Sequence, residues 1–406
     1  MLRGRKNAFL LILMIAATHS ERTFAATFGD DVAFLKKHTE IVLLTSEDGH
    51  AKVAIAPAWQ GRVMTSSANG ESGCSFGWIN RELIGSGKTQ PHINARGGED
   101  RFWLGPEGGQ FSIFFAKDAP FDLEHWFTPD PIDTMPFHVA SQSTDKAAFT
   151  AAFTLTNYSG TRFEVKVDRE VRLLRSVDAW TKLGIKPNAS IKLVAYETEN
   201  KITNTGGEPW KKETGLLSIW ILGMFNPSPN TTIVVPIRKG PESDLGTKVT
   251  SDYFGEVPKD RLVVNDDIIY FSGDGKFRSK IGISPKRSKA VLGSYDADSH
   301  VLTIVQFTQA PNATDYVNSL WKLQDKPYNG DAANSYNDGP PSPGAKPLGP
   351  FYELESSSPG TELKPGQSLT HLHRTIHLSG TESDLDPVAR AVLGVSLAEI
   401  KSTLPQ

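Results

Sequence analysis

Residues 162–174 carry the sequence feature that most restricts the fold. The stretch RFEVKVDREVRLL alternates apolar and charged side chains over most of its length. Successive side chains of a strand point to opposite faces, so this alternation predicts a long antiparallel strand with one buried face. Residues 41–57 and 290–307 are typical of hairpins, with turns at Asp48-Gly49 and at residues 296–299. We therefore predict an all-β chain that folds as a large antiparallel β-sandwich.

Helical signals are confined to the two ends of the chain. We expect one or two turns at residues 31–38 and a better helix at residues 384–404, starting at Asp386-Pro387. A capping box at Ser396 and Glu399 predicts a last short helix. No stretch has the composition of a simple domain linker. The predicted organisation is one β-sandwich domain over residues 26–380, followed by a packed helical tail at residues 381–406.

The first 25 residues have the composition of an export signal. Arg3, Arg5 and Lys6 precede an apolar run at residues 8–17 that is too short to span a bilayer. Ala25 offers a small residue for cleavage. We predict a signal peptide over residues 1–25 and an exported protein, periplasmic or extracellular, with no membrane attachment after cleavage.

The bulk composition excludes one class of partner and one kind of stabilisation. A formal net charge of −3 gives no reason to expect nucleic acid as a partner. Cys74 is the only cysteine of the chain, so it has no partner for an internal disulfide. We interpret Cys74 as a small core residue. The sequence does not predict an oligomeric state.

Two carboxylates share one face of a predicted strand that follows a long loop. Within residues 351–357, Glu353 and Glu355 lie on one face and Leu354 lies on the other. Two like charges so close together raise the pKa of one of them, which suits an acid/base group near neutral pH. The structural alternative is an ion pair of one carboxylate with Lys280 or Arg374.

The next predicted strand carries three histidines. His371, His373 and His377 share one of its faces. We expect these imidazoles and the two carboxylates to lie side by side on one sheet, an arrangement suited to proton transfer. A zinc site made by His371, His373 and a glutamate is a further hypothesis for this face.

These two strands resemble the galactose mutarotase-like (aldose 1-epimerase-like) β-sandwich superfamily, in an uncharacterised exported bacterial branch. In that superfamily a late strand ends in a glutamate shortly before a proline, and a Leu-x-Pro-Gly turn follows. Here Leu354-Glu355 precedes Pro359, and residues 363–366 are Leu-Lys-Pro-Gly. The resemblance implies a concave sheet face that binds a sugar, with Glu355 in the position of the catalytic base.

The resemblance extends to residues 80–98. Asn80-Arg81 and the glycines at residues 97–98 are similar to an early Asn-Arg pair and a Gly-Gly segment of the superfamily. Arg96 stands where the superfamily carries a histidine, and His92 lies four residues earlier. We therefore count Arg81 and Arg96 among the predicted sugar ligands and His92 among the candidate acids.

Residues 99–103, EDRFW, have the side chains of a sugar-binding edge. Glu99 and Arg101 supply hydrogen-bonding groups, and Trp103 supplies a face for the apolar side of a pyranose. The structural alternative is a turn at the two glycines followed by an ion pair within residues 99–101. Further along, Trp220 is predicted either as a second stacking platform or as a core tryptophan.

Two loops supply the remaining candidates. His125 follows Glu124 in a proline-rich loop, a setting in which an imidazole can serve as a general acid or as a purely structural group. The long loop at residues 326–350 is predicted to be ordered and to rim a cleft. Its Asn334, Asn337 and Asp338 are expected to orient the substrate, and calcium binding by this loop is an alternative.

The predicted function is that of an exported carbohydrate-active protein. A sugar would bind on the concave face, with Glu355 as general base and His125 or His92 as acid in an epimerase-type reaction. A non-catalytic glycan-binding module is the main alternative, because the histidines usual in the superfamily are missing. A glycoside hydrolase or polysaccharide lyase is the third. The chain contains no GxSxG, HExxH or CxxC motif, and we predict no cofactor and no metal.

Overall fold

The computed structural model describes residues 26–405, so the predicted signal peptide lies outside the described residues. Strands dominate this part of the chain. In chain order they are β1 (Val42–Thr45), β2 (Lys52–Ala56), β3 (Arg62–Ser67), β4 (Arg101–Gly105), β5 (His138–Gln142), β6 (Lys146–Thr156), β7 (Arg162–Leu173), β8 (Lys192–Asn204), β9 (Ser218–Phe225), β10 (Thr231–Pro236), β11 (Leu262–Val264), β12 (Ile268–Ser272), β13 (Ser279–Ile283), β14 (Val291–Asp296), β15 (Val301–Phe307), β16 (Ala333–Asn337), β17 (Tyr352–Ser357) and β18 (Ser368–Ser379).

The helices are short and few. They are α1 (Phe28–Leu35), α2 (Arg81–Ser86), α3 (Asp130–Asp133), α4 (Ser176–Leu183), α5 (Glu242–Leu245), α6 (Glu382–Val392) and α7 (Leu397–Thr403), with one 3₁₀ turn at Pro57–Trp59. Within residues 26–405, none of the helices has the length and apolar character that crossing a bilayer requires.

Three antiparallel sheets make up the sandwich. The largest has ten strands in the order β11-β12-β10-β14-β15-β18-β8-β7-β6-β5, and a second has five in the order β13-β16-β17-β9-β4. Strands β1, β2 and β3 form a small third sheet. The long alternating strand predicted at residues 162–174 is β7, which pairs with β6 and β8 on its two sides. The prediction of a mostly antiparallel β-sandwich is confirmed.

The core lies on both faces of the ten-stranded sheet. On one face, apolar side chains of β6, β7 and β8 pack against those of β4 and β9. Side chains of β10, β12, β14 and β15 pack against β9, β13 and β17 in the same layer. On the other face, α4, α6 and α7 cover apolar residues of the sheet. The five-stranded sheet is therefore left with one outer face free of the main core.

The C-terminal helices begin where their capping side chains bind the first free N–H groups. Ser396 and Glu399 form the predicted capping box at the start of α7. Helix α6 begins at Glu382 rather than at Asp386-Pro387, because the Thr381 side chain accepts from the Asp384 N–H and caps the helix earlier. Pro387 therefore lies inside the helix. The first helix, α1, also begins earlier than predicted, with Thr27 in a capping box with Asp30.

The two strands at residues 351–379 do not share a sheet, which corrects the prediction that they do. β17 belongs to the five-stranded sheet and β18 to the ten-stranded sheet. The Ser356 hydroxyl on the inner face of β17 contacts His371 Nε2 and His373 Nδ1, each at 2.8 Å. Because side chains alternate along a strand, Glu353 and Glu355 point to the opposite face, away from the imidazoles.

Two smaller predictions also change. Cys74 is exposed and not a core residue, since it alternates with Gly73 and Ser75 in an extended segment whose other face is buried. The loop predicted at residues 326–350 contains strand β16, which pairs with β13 and β17. The rest of the loop is ordered, and its residues 341–348 reach the rim of a cleft.

Candidate functional site

The outer face of the five-stranded sheet forms the floor of a cleft of about 450 Å³. Tyr336 and Met224 flank Glu353 on the two neighbouring strands, so the three side chains form a row across the floor. Loops form the walls, with the lining residues His92, Ile93, Leu123, Glu124, Trp126, Pro341, Lys346 and Leu348. The register of the strands and the loops above them thus create one cavity at this face.

Glu353 lies on the floor of the cleft and is 5% exposed. Its Oε1 accepts a hydrogen bond of 2.9 Å from Arg101 Nη2. Burial, the largest cause, and the neighbouring Glu355 carboxylate together raise the pKa of Glu353 to about 8, against the opposing effect of Arg101. Glu353 is therefore largely protonated at neutral pH, and the adjacent guanidinium would stabilise the carboxylate left after it gives up the proton.

Four tryptophans line the cleft: Trp103, Trp126, Trp220 and Trp321. The rings of Trp103 and Trp220 meet edge to face with centroids 5.5 Å apart, and those of Trp126 and Trp321 stack at 5.8 Å. Trp103 and Trp126 lie 6.5 Å apart, so the rings form one continuous wall. Such a wall offers apolar faces next to polar groups, which suits a ligand with both kinds of surface.

Glu355 is fully buried beneath the floor rather than exposed in the cleft. Its Oε2 accepts hydrogen bonds from Lys280 Nζ at 3.0 Å and from Trp220 Nε1 at 2.8 Å. Lys280 Nζ also lies 4.6 Å from the centroid of the Trp220 ring. The predicted alternative, an ion pair with Lys280, is confirmed. Since Lys280 and Trp220 both line the cleft, Glu355 holds two lining side chains in place.

His92 lies in the wall of the same cleft. Its Nδ1 is 2.7 Å from the carbonyl oxygen of Trp126, and its ring stacks on Phe127 at 4.3 Å. A carbonyl oxygen can only accept, so Nδ1 carries the proton and donates it in this contact. In the neutral ring, Nε2 is then the nitrogen able to accept a proton.

The structure brings about half of the predicted site residues to the cleft. Those that line it are Glu353, His92, Arg101, Trp103, Trp220 and Asp338. Asp338 is held by two donors, the Tyr336 hydroxyl at 2.7 Å and the Gly349 N–H at 2.9 Å. Burial raises the pKa of Asp338. Its carboxylate shapes the wall, with both of its oxygens already hydrogen-bonded.

Three predicted residues near the early motif lie elsewhere. Arg81, in α2, pairs with Asp31 of α1 at 2.5 Å. Arg96 donates to the Asp133 carbonyl at 3.2 Å and lies behind the site. Glu99 is fully buried between the sheets, where Ser66, Tyr196 and His377 hydrogen-bond to it. The predicted ion pair within residues 99–101 does not form, because the Glu99 carboxylate is bound between the sheets and Arg101 pairs with Glu353.

Three further predicted residues are also outside the cleft. His125 points away from the cavity and hydrogen-bonds to Asp122 at 2.7 Å. Asn337 is buried and donates to Asp274 and to the Phe277 carbonyl. Asn334 lines a small neighbouring cavity, where it donates to the Tyr253 hydroxyl at 3.1 Å. Their positions follow from loop and strand geometry that a single sequence does not contain.

The zinc and calcium hypotheses are not supported by any cluster of ligands in the described residues. In the part of the chain that the structure describes, no group of three or more His, Cys, Asp and Glu side chains is arranged to hold a metal ion. His371 and His373 face Ser356, on the side of β17 opposite to both glutamates. Burial lowers the pKa of His371 to about 3 and that of His373 to about 4, so both rings are neutral.

Sequence reasoning missed several residues of the lining, among them Glu107, Arg278 and Trp321, and it considered Lys280 only as an ion-pair partner. A signal for two of them was present. Arg278 and Lys280 alternate with Ser279 and Ile281, and charges on one face of an otherwise apolar strand are the pattern that singled out Glu353. Trp321 lies in an irregular loop without periodicity, so no comparable signal exists for it.

The residues described by the structure correspond closely to one family model. The model described as "Family of unknown function (DUF6786)" matches residues 26–404. The chain belongs to this family. A comparison with curated proteins found no significant match.

Solved structures with a similar fold include those of three bacterial proteins. A protein of Synechocystis is 12% identical, with a TM-score of 0.48 over 84% of this chain and 96% of that chain. A galactose mutarotase-like protein of Lactobacillus casei is 12% identical, with a TM-score of 0.45 over 84% of this chain and 100% of that chain. A galactose mutarotase related enzyme of Lactobacillus acidophilus is 10% identical, with a TM-score of 0.46 over 84% and 98%.

Two of these structures carry names from the galactose mutarotase-like group that the sequence resembles. Identities of 10–12% and TM-scores below 0.5 transfer no activity to this family member. What the cleft does has to be argued from its own side chains.

Proposed function

We propose that the cleft binds a carbohydrate and exchanges a proton with it in an epimerase-type reaction. The observation that carries the proposal is Glu353, a buried carboxylic acid that faces a tryptophan-lined cavity beside Arg101. Aromatic faces pack against the apolar side of a pyranose, and the polar groups between them hydrogen-bond to its hydroxyls. The combination suits a sugar better than a wholly apolar or wholly ionic ligand.

The proton chemistry uses Glu353 and His92 in complementary states. Protonated Glu353 donates to the ring oxygen of a bound aldose, while neutral His92 accepts the proton of the anomeric hydroxyl at Nε2. The bond between C1 and the ring oxygen breaks, and a C1 carbonyl forms. Arg101 stabilises the Glu353 carboxylate produced in this step. Ring closure on either face of the carbonyl returns both protons and gives either anomer.

This assignment exchanges the roles predicted from the sequence. Glu355 was expected as the base and a histidine as the acid. Because Glu355 is fully buried and bonded to Lys280 and Trp220, we assign it the positioning of those two side chains. Glu353 takes the reacting position on the same face of β17.

Proton NMR of freshly dissolved sugars tests the proposal. The protein should accelerate the exchange of anomeric signals for at least one sugar of a panel of aldoses, uronic acids and oligosaccharides. His92→Gln should abolish the acceleration, whereas the matched variant His125→Gln should keep it, since His125 lies outside the cleft. Equal losses in both variants, or no acceleration by the wild type, would overturn the catalytic assignment.

A non-catalytic glycan-binding module is the second candidate, favoured by the contact of Glu353 with Arg101, which occupies the carboxyl group. It predicts line broadening of a sugar without turnover in the same NMR experiment. New reducing ends would instead indicate hydrolysis, and olefinic signals would indicate a lyase. The spectra therefore separate all of the reaction classes considered.

Export is the remaining part of the proposal, supported by the basic start of the chain and the apolar run at residues 8–17. Expression of the full chain in a bacterial host, followed by fractionation and N-terminal sequencing, tests it. We expect protein outside the cytoplasm that begins near Ala26. A cytoplasmic chain that retains Met1 would contradict export.

A further inference from the structure

The cations that line the cleft differ in their contacts with carboxyl groups. Arg101 pairs with Glu353 at 2.9 Å, and Lys280 pairs with Glu355 at 3.0 Å. Arg278 and Lys346 line the same cavity. Neither makes an ion pair with any carboxylate in residues 26–405. Two positive charges therefore face the cavity without an anionic partner from the protein.

The remaining acids of the lining offer little compensation. Asp338 makes no ion pair with Arg278, although the two groups interact electrostatically, and burial raises the pKa of Asp338. Burial raises the pKa of Glu107 and that of Glu353, which reduces their negative charge at neutral pH. Glu124 is exposed at the rim. The cavity thus carries an excess of positive charge.

Arg278 is held in a defined position. Its Cζ lies 3.8 Å from the centroid of the Phe254 ring, so the guanidinium stacks on an aromatic face that also lines the cleft. Stacking fixes the plane of the guanidinium, which also contacts the Tyr336 hydroxyl. Its remaining N–H groups can bind a planar or tetrahedral anion. Lys346, exposed on the rim loop, adds a second positive charge.

We propose that Arg278 and Lys346 form an anion subsite and that the ligand of the cleft is an acidic saccharide. Its carboxylate, sulfate or phosphate group contacts the two cations while its ring packs on the tryptophans. The inference rests on the proposed function, since it names the class of sugar that the same cleft takes. A free inorganic anion would leave the tryptophan wall without a partner.

Calorimetry with matched ligand pairs tests the subsite. The pairs are glucuronate with glucose, galacturonate with galactose, and a sulfated or phosphorylated sugar with its neutral parent, which separates the sources of the charge. We expect the acidic member of at least one pair to bind about tenfold more tightly. Raising the salt from about 0.05 M to about 0.5 M should narrow this difference, because salt screens the charges.

Charge-removing variants localise the effect. Arg278→Gln should weaken binding of the acidic sugar about tenfold, and Lys346→Gln about threefold because it is exposed. Affinity for the neutral sugar should fall clearly less than affinity for the acidic sugar in both variants. Arg278→Lys should retain most of the preference. Lys276→Gln is the matched control, since this exposed lysine lies two residues from Arg278 but does not line the cleft.

The outcomes distinguish the subsite from the proposed function. Equal affinity for acidic and neutral sugars would overturn the subsite and leave carbohydrate binding intact. Equal losses of affinity for both sugars in Arg278→Gln would also overturn it, because the residue would then stabilise the cleft rather than bind the acidic group. Inorganic sulfate that binds as tightly as the acidic sugar would overturn the acidic-saccharide proposal, because the cleft would then recognise the anion without the sugar ring. Absence of any saccharide binding would overturn the proposed function together with the inference.

Discussion

Two buried acidic centres lie on opposite faces of the five-stranded sheet and differ in their surroundings. On the outer face, the Glu353 side chain contacts Arg101 and faces the cleft. On the inner face, Glu99 and Asp100 lie between the sheets and are completely buried. Both centres place acids beside bases, yet only one of them is open to a ligand.

The inner centre is saturated with donors. Glu99 accepts from the Ser66 N–H at 2.5 Å, the Tyr196 hydroxyl at 3.0 Å and His377 Nε2 at 3.0 Å. Asp100 accepts from Arg169 at 2.6 Å and from the Thr198 hydroxyl at 2.9 Å. A carboxylate satisfied in this way stabilises the fold. The comparison indicates that the number of donors and access to a cavity, rather than residue type, decide which acid can react.

Replacing the cleft acid by its amide should give the largest effect. Glu353→Gln removes the proton that is exchanged, so the rate of anomeric exchange should fall about 10²- to 10⁴-fold. Because the raised pKa means that Glu353 takes up a proton when the chain folds at neutral pH, the amide, which needs no proton, should raise the free energy of unfolding by roughly 1–3 kcal/mol. NMR exchange rates and urea denaturation measure the two quantities. A variant that retains the full rate would remove Glu353 from the mechanism.

Breaking the inner centre should instead act on stability. Asp100→Ala leaves the buried Arg169 guanidinium without its charged partner, which should cost about 3–5 kcal/mol of unfolding free energy. Urea denaturation measures the loss. The exposed pair of Asp168 with Lys166 provides the control, since Asp168→Ala should cost less than about 1 kcal/mol. Equal effects of the two variants would contradict the distinction between buried and exposed pairs.

The neutral histidines of the inner face make stability depend on pH. Folding lowers the pKa of His371 to about 3 and of His373 to about 4 from a usual value near 6.5. Between about pH 4 and pH 6.5 the unfolded chain therefore binds more protons at these rings. Each ring should therefore lower the free energy of unfolding by roughly 1 kcal/mol for each unit by which the pH falls in this range.

The raised pKa of Glu353 acts in the opposite direction over part of this range, so the histidine contribution has to be isolated. Urea denaturation of the wild type and of His371→Gln at several pH values isolates it, because the difference between the two proteins contains only the contribution of His371. His371→Gln should make the stability of the protein fall less steeply toward acid pH. An unchanged slope would show that His371 is protonated in the folded protein.

The smallest effect is expected at the edge of the aromatic wall. Trp321→Ala removes a half-buried ring that stacks on Trp126 at 5.8 Å and lines the cleft. Sugar affinity should fall about fivefold, the usual contribution of one aromatic contact. Calorimetry measures it, and Phe121→Leu, which alters an aromatic side chain outside the cleft, is the control. A loss of similar size in the control would indicate a general effect on packing.

Local features of the fold were predictable from the sequence. The alternation at residues 162–174 identified β7, the turns at Asp48-Gly49 and at residues 296–299 identified two hairpins, and the capping box at Ser396 identified α7. These signals work because each depends on residues close together in the chain. The shared face of Glu353 and Glu355 was predictable for the same reason.

The candidate site depended on contacts between distant segments. Arg101 and Glu353 are 252 residues apart, and Lys280 and Glu355 are 75 apart. A single sequence contains no signal for such pairs, so it could not show that Glu353 faces the cavity while Glu355 is buried beneath it. It also could not assign β18 to the opposite sheet, which separates the imidazoles from the acids. The sequence by itself determined the strands and the faces of their side chains, because these follow from local geometry. Only the tertiary structure decided which face became a cleft, because that depends on which distant strands and loops pack together.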